Sequence, residues 1–344
     1  MSPKRRLTKQ QQQRIAQQNQ RRLKGTDQQQ ADLTDDSLYL AAQPGLILSR
    51  FGQHVDVESE QGDVVRCNLR RSLSSVVTGD RVVWRRARQP QGGVEGVVDA
   101  IADRHSVLLR PDFYDGLKPV AANIDRIVVV SSVLPEFSCN IIDRYLVAAE
   151  VTDIPPLLVI NKADMLSDAE RDALEQQLAV YERIGYDYLW VSAHTGLGMD
   201  ALQTLLRQGT SILVGQSGVG KSSIMNTILP DLRLSTQDVS SVSGLGQHTT
   251  TASRLYHLPN GGQLIDSPGI REFGLWHFDA EQVTAGFIEF QNYLGHCKFR
   301  DCKHISDPGC AILQAVADGH ISQMRYQSYL KILTSMAEDK PNYL

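Results

Sequence analysis

Cysteine is scarce in this chain, with only five in 344 residues, and there is no apolar run long enough to cross a bilayer, no secretory signal pattern and no internal repeat. Each gap excludes a class. A membrane-spanning helix needs about 20 consecutive apolar residues, a secretory leader needs an apolar stretch ending in a small-residue cleavage site, and a disulfide scaffold needs a denser set of cysteines. A reducing cytoplasm is the expected setting. No heptad pattern is present, so a monomer is expected. Acids are missing too from the first 26 residues, which carry eight lysines and arginines; the whole chain has a net charge of −4, so the remainder stands at −12.

That segregation marks residues 1–36 as a polar, glutamine-rich basic arm, expected to be disordered alone. Such an arm suits nucleic-acid phosphates, with a merely solubilising tail as the plain alternative. Residues 37–110 change character to five short β-type runs, at Leu46–Leu48, His54–Val57, Asp63–Cys67, Arg81–Trp84 and Gly96–Ile101, with a Gly79-Asp80 turn signal before the fourth. Five short strands in this length predict a small barrel of OB-fold type that binds oligonucleotides. Arg66, Arg70, Arg71, Arg81, Arg85, Arg86 and Arg88 are placed to contact phosphates. An SH3-like barrel used for protein contact is the alternative.

Residues 111–275 carry the boxes of a GTP-binding α/β domain, in permuted order. The phosphate loop Gly215-Gln216-Ser217-Gly218-Val219-Gly220-Lys221-Ser222 fits G-x-x-x-x-G-K-[ST], follows the apolar run Ile212-Leu213-Val214 and runs into a helical pattern from Ser223. Backbone N–H groups of such a loop wrap phosphates, Lys221 reaches the β- and γ-phosphates, and Ser222 holds Mg²⁺.

The guanine box Asn161-Lys162-Ala163-Asp164 comes before it, at the carboxyl end of the apolar run Pro156–Ile160. The Asp164 carboxylate can accept two hydrogen bonds from guanine that adenine cannot supply. Asn161 and Lys162 brace base and loop, and Ser192-Ala193 offers a backbone N–H to the guanine carbonyl. Asp266-Ser267-Pro268-Gly269 is the third box: Asp266 reaches Mg²⁺ through water and the Gly269 N–H senses the γ-phosphate. Between them, Gly244–Thr251 is suited to a switch loop in which Thr250, or alternatively Thr249, ligates Mg²⁺.

One residue type is absent where it would be expected. Common GTPases place a glutamine after Asp-x-x-Gly to orient the attacking water, and here that position is Ile270. Unaided hydrolysis should be slow, and His248 in the switch loop is the candidate catalytic group, an uninvolved exposed side chain being the alternative. Residues 276–344 hold Cys297-x4-Cys302-x-His304-x5-Cys310, three thiols and one imidazole. Four such ligands suit one structural Zn²⁺, with Asp301 as an alternative acidic ligand, between helices expected at 280–295 and 311–337. The other cysteines, Cys67 and Cys139, read as small core residues. Because the segment after Asp266 leads straight into this region, hydrolysis is expected to pull on it.

Together these features resemble the ribosome small-subunit-dependent GTPases of the RsgA (YjeQ) family. The resemblance rests on the permuted order, Gly246-Gln247-His248-Thr249-Thr250-Thr251, Asp266-Ser267-Pro268-Gly269-Ile270 and the Cys297/Cys302/His304/Cys310 spacing. It implies a bacterial cytoplasmic factor that binds the 30S subunit and its 16S rRNA, acts late in subunit maturation, and hydrolyses GTP to GDP strongly only when bound there. Neither membrane nor DNA is an expected partner. The family usually carries a basic residue before His248; Gln247 departs from that. Two other readings compete: a regulatory GTP switch acting through a protein partner, and an RNA-binding protein with a degenerate nucleotide site. The intact Lys221, Ser222, Asp266 and Asp164 argue against the last.

Overall fold

The computed structural model describes residues 16, 17, 19, 20, 23, 38–70, 72, 73, 75–112, 116–230, 253–267 and 278–338. Its first unit is built from β1 (Gln43–Phe51), β2 (His54–Ser59), β3 (Val64–Leu69), β4 (Arg81–Gln91) and β5 (Val94–Ile101). The pairings run β1–β2–β3–β5–β4–β1, with β3 and β5 parallel and the rest antiparallel, so the strands close on themselves. Alternation drives this: Val55 and Val57 of β2 and Val65 and Cys67 of β3 point inward, packing with Ile47, Val76, Val82 and Trp84. Gly45 leaves room for the Trp84 ring, since a Cβ there would lie 2.7 Å from it. Burial pushes the Cys67 thiol up to about 12, which keeps it an inert core residue.

One expectation for the N-terminal third is corrected. Arg70 and Arg85 do not face solvent as phosphate contacts: their Nε atoms converge on Asp99, at 2.5 and 2.6 Å, because a nearly buried carboxylate demands counter-charge. Arg81 is exposed and Arg66 is half-exposed in a pair with Asp56, while Arg71 lies outside the described residues. In the arm, where composition predicts no fixed structure, Ala16, Gln17, Asn19, Gln20 and Leu23 are helical. The Asn19 amide donates to Ile101 O (2.8 Å) and its oxygen accepts from Ile101 N–H (3.0 Å), satisfying the end of β5.

A hairpin not anticipated from the sequence, β6 (Val107–Asp112) with β7 (Gly116–Ala122), crosses residue 110, where the first boundary was expected. The nucleotide-domain sheet follows: β8 (Arg126–Ser132), β9 (Pro156–Asn161), β10 (Tyr188–Trp190), β11 (Thr210–Val214), β12 (Arg254–His257) and β13 (Gln263–Asp266). They lie in the order β10-β9-β8-β11-β13-β12, parallel except for β12. The central strands β8, β9 and β11 are buried along most of their length because helices cover both faces. Ile127, Val129, Leu158 and Ile160 pack toward α1 (Cys139–Val151) and α2 (Asp168–Arg183). Val128, Val130, Leu157 and Val159 pack toward α3 (Met199–Leu205) and α4 (Lys221–Ile228). Ser167 caps α2 in a reciprocal box with Glu170. Cys139 is only partly buried, at the start of α1.

The C-terminal unit comprises α5 (Ala280–Ala285), a 3-10 turn at Ile288–Tyr293, α6 (Ala311–Ala317) and α7 (Gln323–Glu338). Both helices expected here are interrupted, the second at Gly319, whose φ of +75° favours glycine. This unit docks on α1, whose Val147 and Ala148 bury against Phe287, Tyr329 and Ile332. At the seam Arg325, fully buried, donates to Asp143 Oδ1 (2.5 Å) and to both oxygens of Glu289 (2.7 and 3.0 Å), while Tyr181 of α2 donates to Asp143 (2.7 Å). Burial alone would lower the Arg325 pKa, but Asp143 and Glu289 more than offset it, so the guanidinium is held above its ordinary value.

Candidate nucleotide site and metal cluster

Parallel strands bring their carboxyl ends to one edge of a sheet, and ligands bind there. Here β9 ends at Asn161, β10 leads to Ser192, β11 leads to Gly215, and β13 ends at Asp266. Boxes far apart in the chain, and permuted in order, therefore share one edge. The parallel registers Ser132↔Asn161, Trp190↔Ile160, Val214↔Val129 and Ile212↔Ile265 fix that alignment.

The phosphate loop needs its glycines sterically. Gly215 and Gly220 hold φ of +144° and +93°, and a Cβ would strike the carbonyl of Val130 at the first and the Asn161 amide at the second. The loop opens α4, so its N–H groups and the helix N-terminus point the same way. Lys221 Nζ donates to the loop carbonyls of Gly215 (2.7 Å) and Gln216 (2.6 Å), and Ser222 and Ser223 are partly buried beside it.

The guanine box is wired to that loop. Asn161, buried, donates from Nδ2 to Val219 O (2.9 Å) and accepts the Ala193 N–H on Oδ1 (3.2 Å). Lys162, in the left-handed region at φ +61°, donates to Leu134 O (2.5 Å) and Gly218 O (2.7 Å). Asp164 is exposed at the rim. The Ser192 N–H, expected to be one of the guanine donors, is taken by Leu197 O (2.9 Å), and the Ser192 hydroxyl accepts the Thr195 N–H (3.0 Å). Ala193 N–H, in the longer bond to Asn161, is the better placed of the two. The Asn161 bridge was legible only as a brace; its partner Val219 lies 58 residues away.

Asp266 pairs with Arg254 across β12–β13, and the adjacent Ser267 shares a 2.6 Å hydroxyl contact with Ser253. His248, Thr249, Thr250, Gly269 and Ile270 lie outside the described residues.

Cys297, Cys302, His304 and Cys310 bring their donor atoms within 4.8 Å of one another, a set consistent with a metal ion. Asp301, the alternative ligand, is not part of this group. The Cys310 sulfur accepts the Leu313 N–H (3.5 Å) and the Cys297 sulfur the Ala311 N–H (3.4 Å), which fixes both on the start of α6. Burial, with the neighbouring thiols Cys310 and Cys297, pushes Cys302 up to about 12. Burial lowers the His304 pKa, keeping the imidazole in its neutral, ligating form. The cluster is anchored on α7, where Tyr326 donates to His304 O (2.9 Å). No helix among the described residues is long and apolar enough to cross a membrane.

The RsgA GTPase family model matches residues 101–276. The small ribosomal subunit biogenesis GTPase RsgA of Haemophilus influenzae (strain PittGG) is 56% identical over 337 residues, covering 98% of this chain and 97% of that protein. RsgA 1 of Vibrio parahaemolyticus is 55% identical over 345 residues, covering 99% and 97%. Among solved structures, YjeQ from Thermotoga maritima is 30% identical with a TM-score of 0.69, covering 86% of this chain and 99% of that one. YloQ, described as a circularly permuted GTPase, is 30% identical with a TM-score of 0.66, covering 88% and 98%. The chain belongs to the RsgA family and is a circularly permuted GTP hydrolase.

Proposed function

We propose that this GTPase binds the 30S subunit, acts late in small-subunit maturation, and hydrolyses GTP to GDP and phosphate rapidly only on that particle. One observation carries the reading: the phosphate and guanine boxes converge on one sheet edge while the water-orienting position holds Ile270. Phosphate and guanine boxes brought together without that glutamine call for help from outside the free chain. Relatives sharing 56% of residues across 98% of the chain are named for small-subunit biogenesis.

In this reading Gly215 to Ser223 wrap the phosphates, Lys221 neutralises charge developing on the β- and γ-oxygens, and Asp164 selects guanine. Ser222 and Thr250, or Thr249 in its place, hold Mg²⁺, with Asp266 reaching it through water. The bound ion would neutralise phosphate charge. Gly269 senses the γ-phosphate, and His248 takes or relays a hydrogen bond from the attacking water.

The closed β1–β2–β3–β5–β4 ring supports an OB-fold for the barrel. With the basic arm it forms the 16S rRNA-binding surface, through Arg81 and Arg66 rather than the paired Arg70 and Arg85. The metal is Zn²⁺, serving structure. A tetrahedron with Zn–S near 2.3 Å and Zn–N near 2.0 Å sets sulfurs about 3.8 Å apart and S···N about 3.5 Å; Cys297 and Cys310 sulfurs lie 3.9 Å apart, and His304 Nδ1 lies 3.5 and 3.4 Å from them.

The test is GTP turnover by the chain alone and with 30S subunits, 50S subunits or 70S ribosomes, with Lys221→Ala as control. Strong stimulation by 30S alone supports the reading, and subunit binding should weaken steeply with salt. GTP binding without stimulation by any particle contradicts it and favours a switch acting through a protein partner.

A further inference from the structure

The barrel meets the nucleotide domain beside the segments predicted to sense the γ-phosphate. Thr78, 2% exposed, precedes the Gly79-Asp80 turn at the base of the barrel, and its hydroxyl donates to Ser253 O (3.0 Å). Ser253 is the first described residue after the stretch holding the predicted switch loop. Its own hydroxyl lies 2.6 Å from that of Ser267, which is 5% exposed and sits between Asp266 and Pro268. Both predicted sensing segments thus adjoin one pair of serines, and one of those serines is bonded to the barrel.

The Thr78 end is held firmly. Ala122 N–H donates to Thr78 O (3.0 Å), and Asn123 Nδ2 donates to Gly79 O (2.8 Å). A Cβ on Gly79, at φ +89°, would strike the Ala122 carbonyl, so the backbones are in close contact. The next residue, Asp80, is fully buried and accepts from Arg104 (2.7 and 2.8 Å) and from Val77 N–H (2.7 Å). Gly79 N–H also donates to Ile47 O and Ile47 N–H to Asp80 O, both 2.9 Å, so the turn is tied to β1 of the barrel as well as to the Ala122–Asn123 segment that leads into β8. Strand β12, which begins one residue after Ser253, also pairs with β1 of the barrel at Ser49↔Arg254.

We infer that Thr78 is a positioning residue for hydrolysis: through Ser253 and Ser267 it couples the barrel's engagement with the subunit to the placement of Asp266 and Ser267 at the end of β13. The inference rests on the subunit-stimulated reading above. Where this placement changes nucleotide affinity, linkage requires nucleotide state to change the barrel's grip on the subunit by the same factor.

The experiment uses the full chain, Thr78→Val, which removes the donor at constant shape, and Ser253→Ala, which cuts the second link and keeps the Ser253 carbonyl. In both, GTP affinity and turnover without subunits should stay within about twofold of the parent. The ratio of 30S affinities with a non-hydrolysable GTP analogue and with GDP should move toward unity by about three- to tenfold, the scale of one hydrogen bond. Stimulated turnover should fall by a similar factor, and Thr78→Ser should restore both. The double variant should be no worse than either single one, because both cut one chain.

A separate readout needs no ribosomal particle. Amide exchange at residues 76–80 should differ between the analogue and GDP in the parent chain, and the difference should vanish in Ser253→Ala. If the parent is not stimulated by 30S subunits, the functional reading fails, while exchange still decides the relay. Exchange at residues 76–80 that ignores nucleotide state, or Thr78→Val that keeps the parent's affinity ratio, overturns it.

Discussion

The two outer units are fastened to the nucleotide domain by different means. The C-terminal unit is bolted to α1 and α2 by a buried ionic network around Arg325 and by the aromatic and aliphatic packing of Phe287, Tyr329 and Ile332. The barrel is joined by the Ser49↔Arg254 strand pairing, a Thr78↔Ala121 bridge, hydroxyl and amide hydrogen bonds around Ser253 and Asn123, a half-exposed His257–Glu58 pair (2.7 Å) and the packing of Leu48 into the nucleotide-domain core. Burying charges makes a seam costly to open, because separation strands a desolvated ion. Hydroxyl contacts, each worth about 1 kcal/mol net, can exchange partners at little cost. In this account the C-terminal unit is the firmly held extension of α1 and α2, and the barrel is the unit proposed to report on nucleotide state. The expectation that hydrolysis pulls on the C-terminal region falls on residues 268–277, which lie outside the described residues.

The largest expected effect removes the chemistry and leaves both joints alone. Lys221→Ala should lower subunit-stimulated turnover by about 10³-fold with an unchanged melting temperature, measured by single-turnover hydrolysis and thermal scans. Breaking the bolt comes next. Arg325→Met leaves Asp143 and Glu289 as uncompensated buried acids and should destabilise by about 3–5 kcal/mol, read from denaturant unfolding; adding Asp143→Asn and Glu289→Gln should recover part of that loss. Chelation sharpens the same side: stripping the metal should loosen the C-terminal unit, raising proteolysis around residues 297–310, while the barrel stays protected. At the guanine edge, Asp164→Asn should cut GTP affinity by about 10²-fold or more and shift preference toward XTP, measured by nucleotide competition. Thr78→Val at the barrel joint should give the smallest effect, seen in the nucleotide dependence of subunit binding and in stimulated turnover.

The sequence was most legible where chemistry fixes spacing. Phosphate and guanine boxes read directly, because backbone wrapping needs glycines at set intervals and guanine needs one carboxylate. The five barrel strands were legible because alternation exposes one side and buries the other, as in Val55 and Val57. Helix α1 was missed: it is buried toward both the sheet and the C-terminal unit, so Ile142 to Ala149 form a nearly continuous buried run without a polar face. Arg70 and Arg85 misled because a charged residue on a strand suggests solvent, whereas Asp99 draws both inward. The joints left no local signal at all. Arg325 meets Asp143 across 182 residues and Thr78 meets Ser253 across 175, distances over which no periodicity or motif speaks.

Amide exchange on the intact, metal-loaded chain, compared between a GTP analogue and GDP, tests the division between the joints most directly. The account predicts a nucleotide-dependent change at residues 76–80 of the barrel turn and none at residues 325–332 of α7. A change confined to α7, with the barrel turn unmoved, would contradict it.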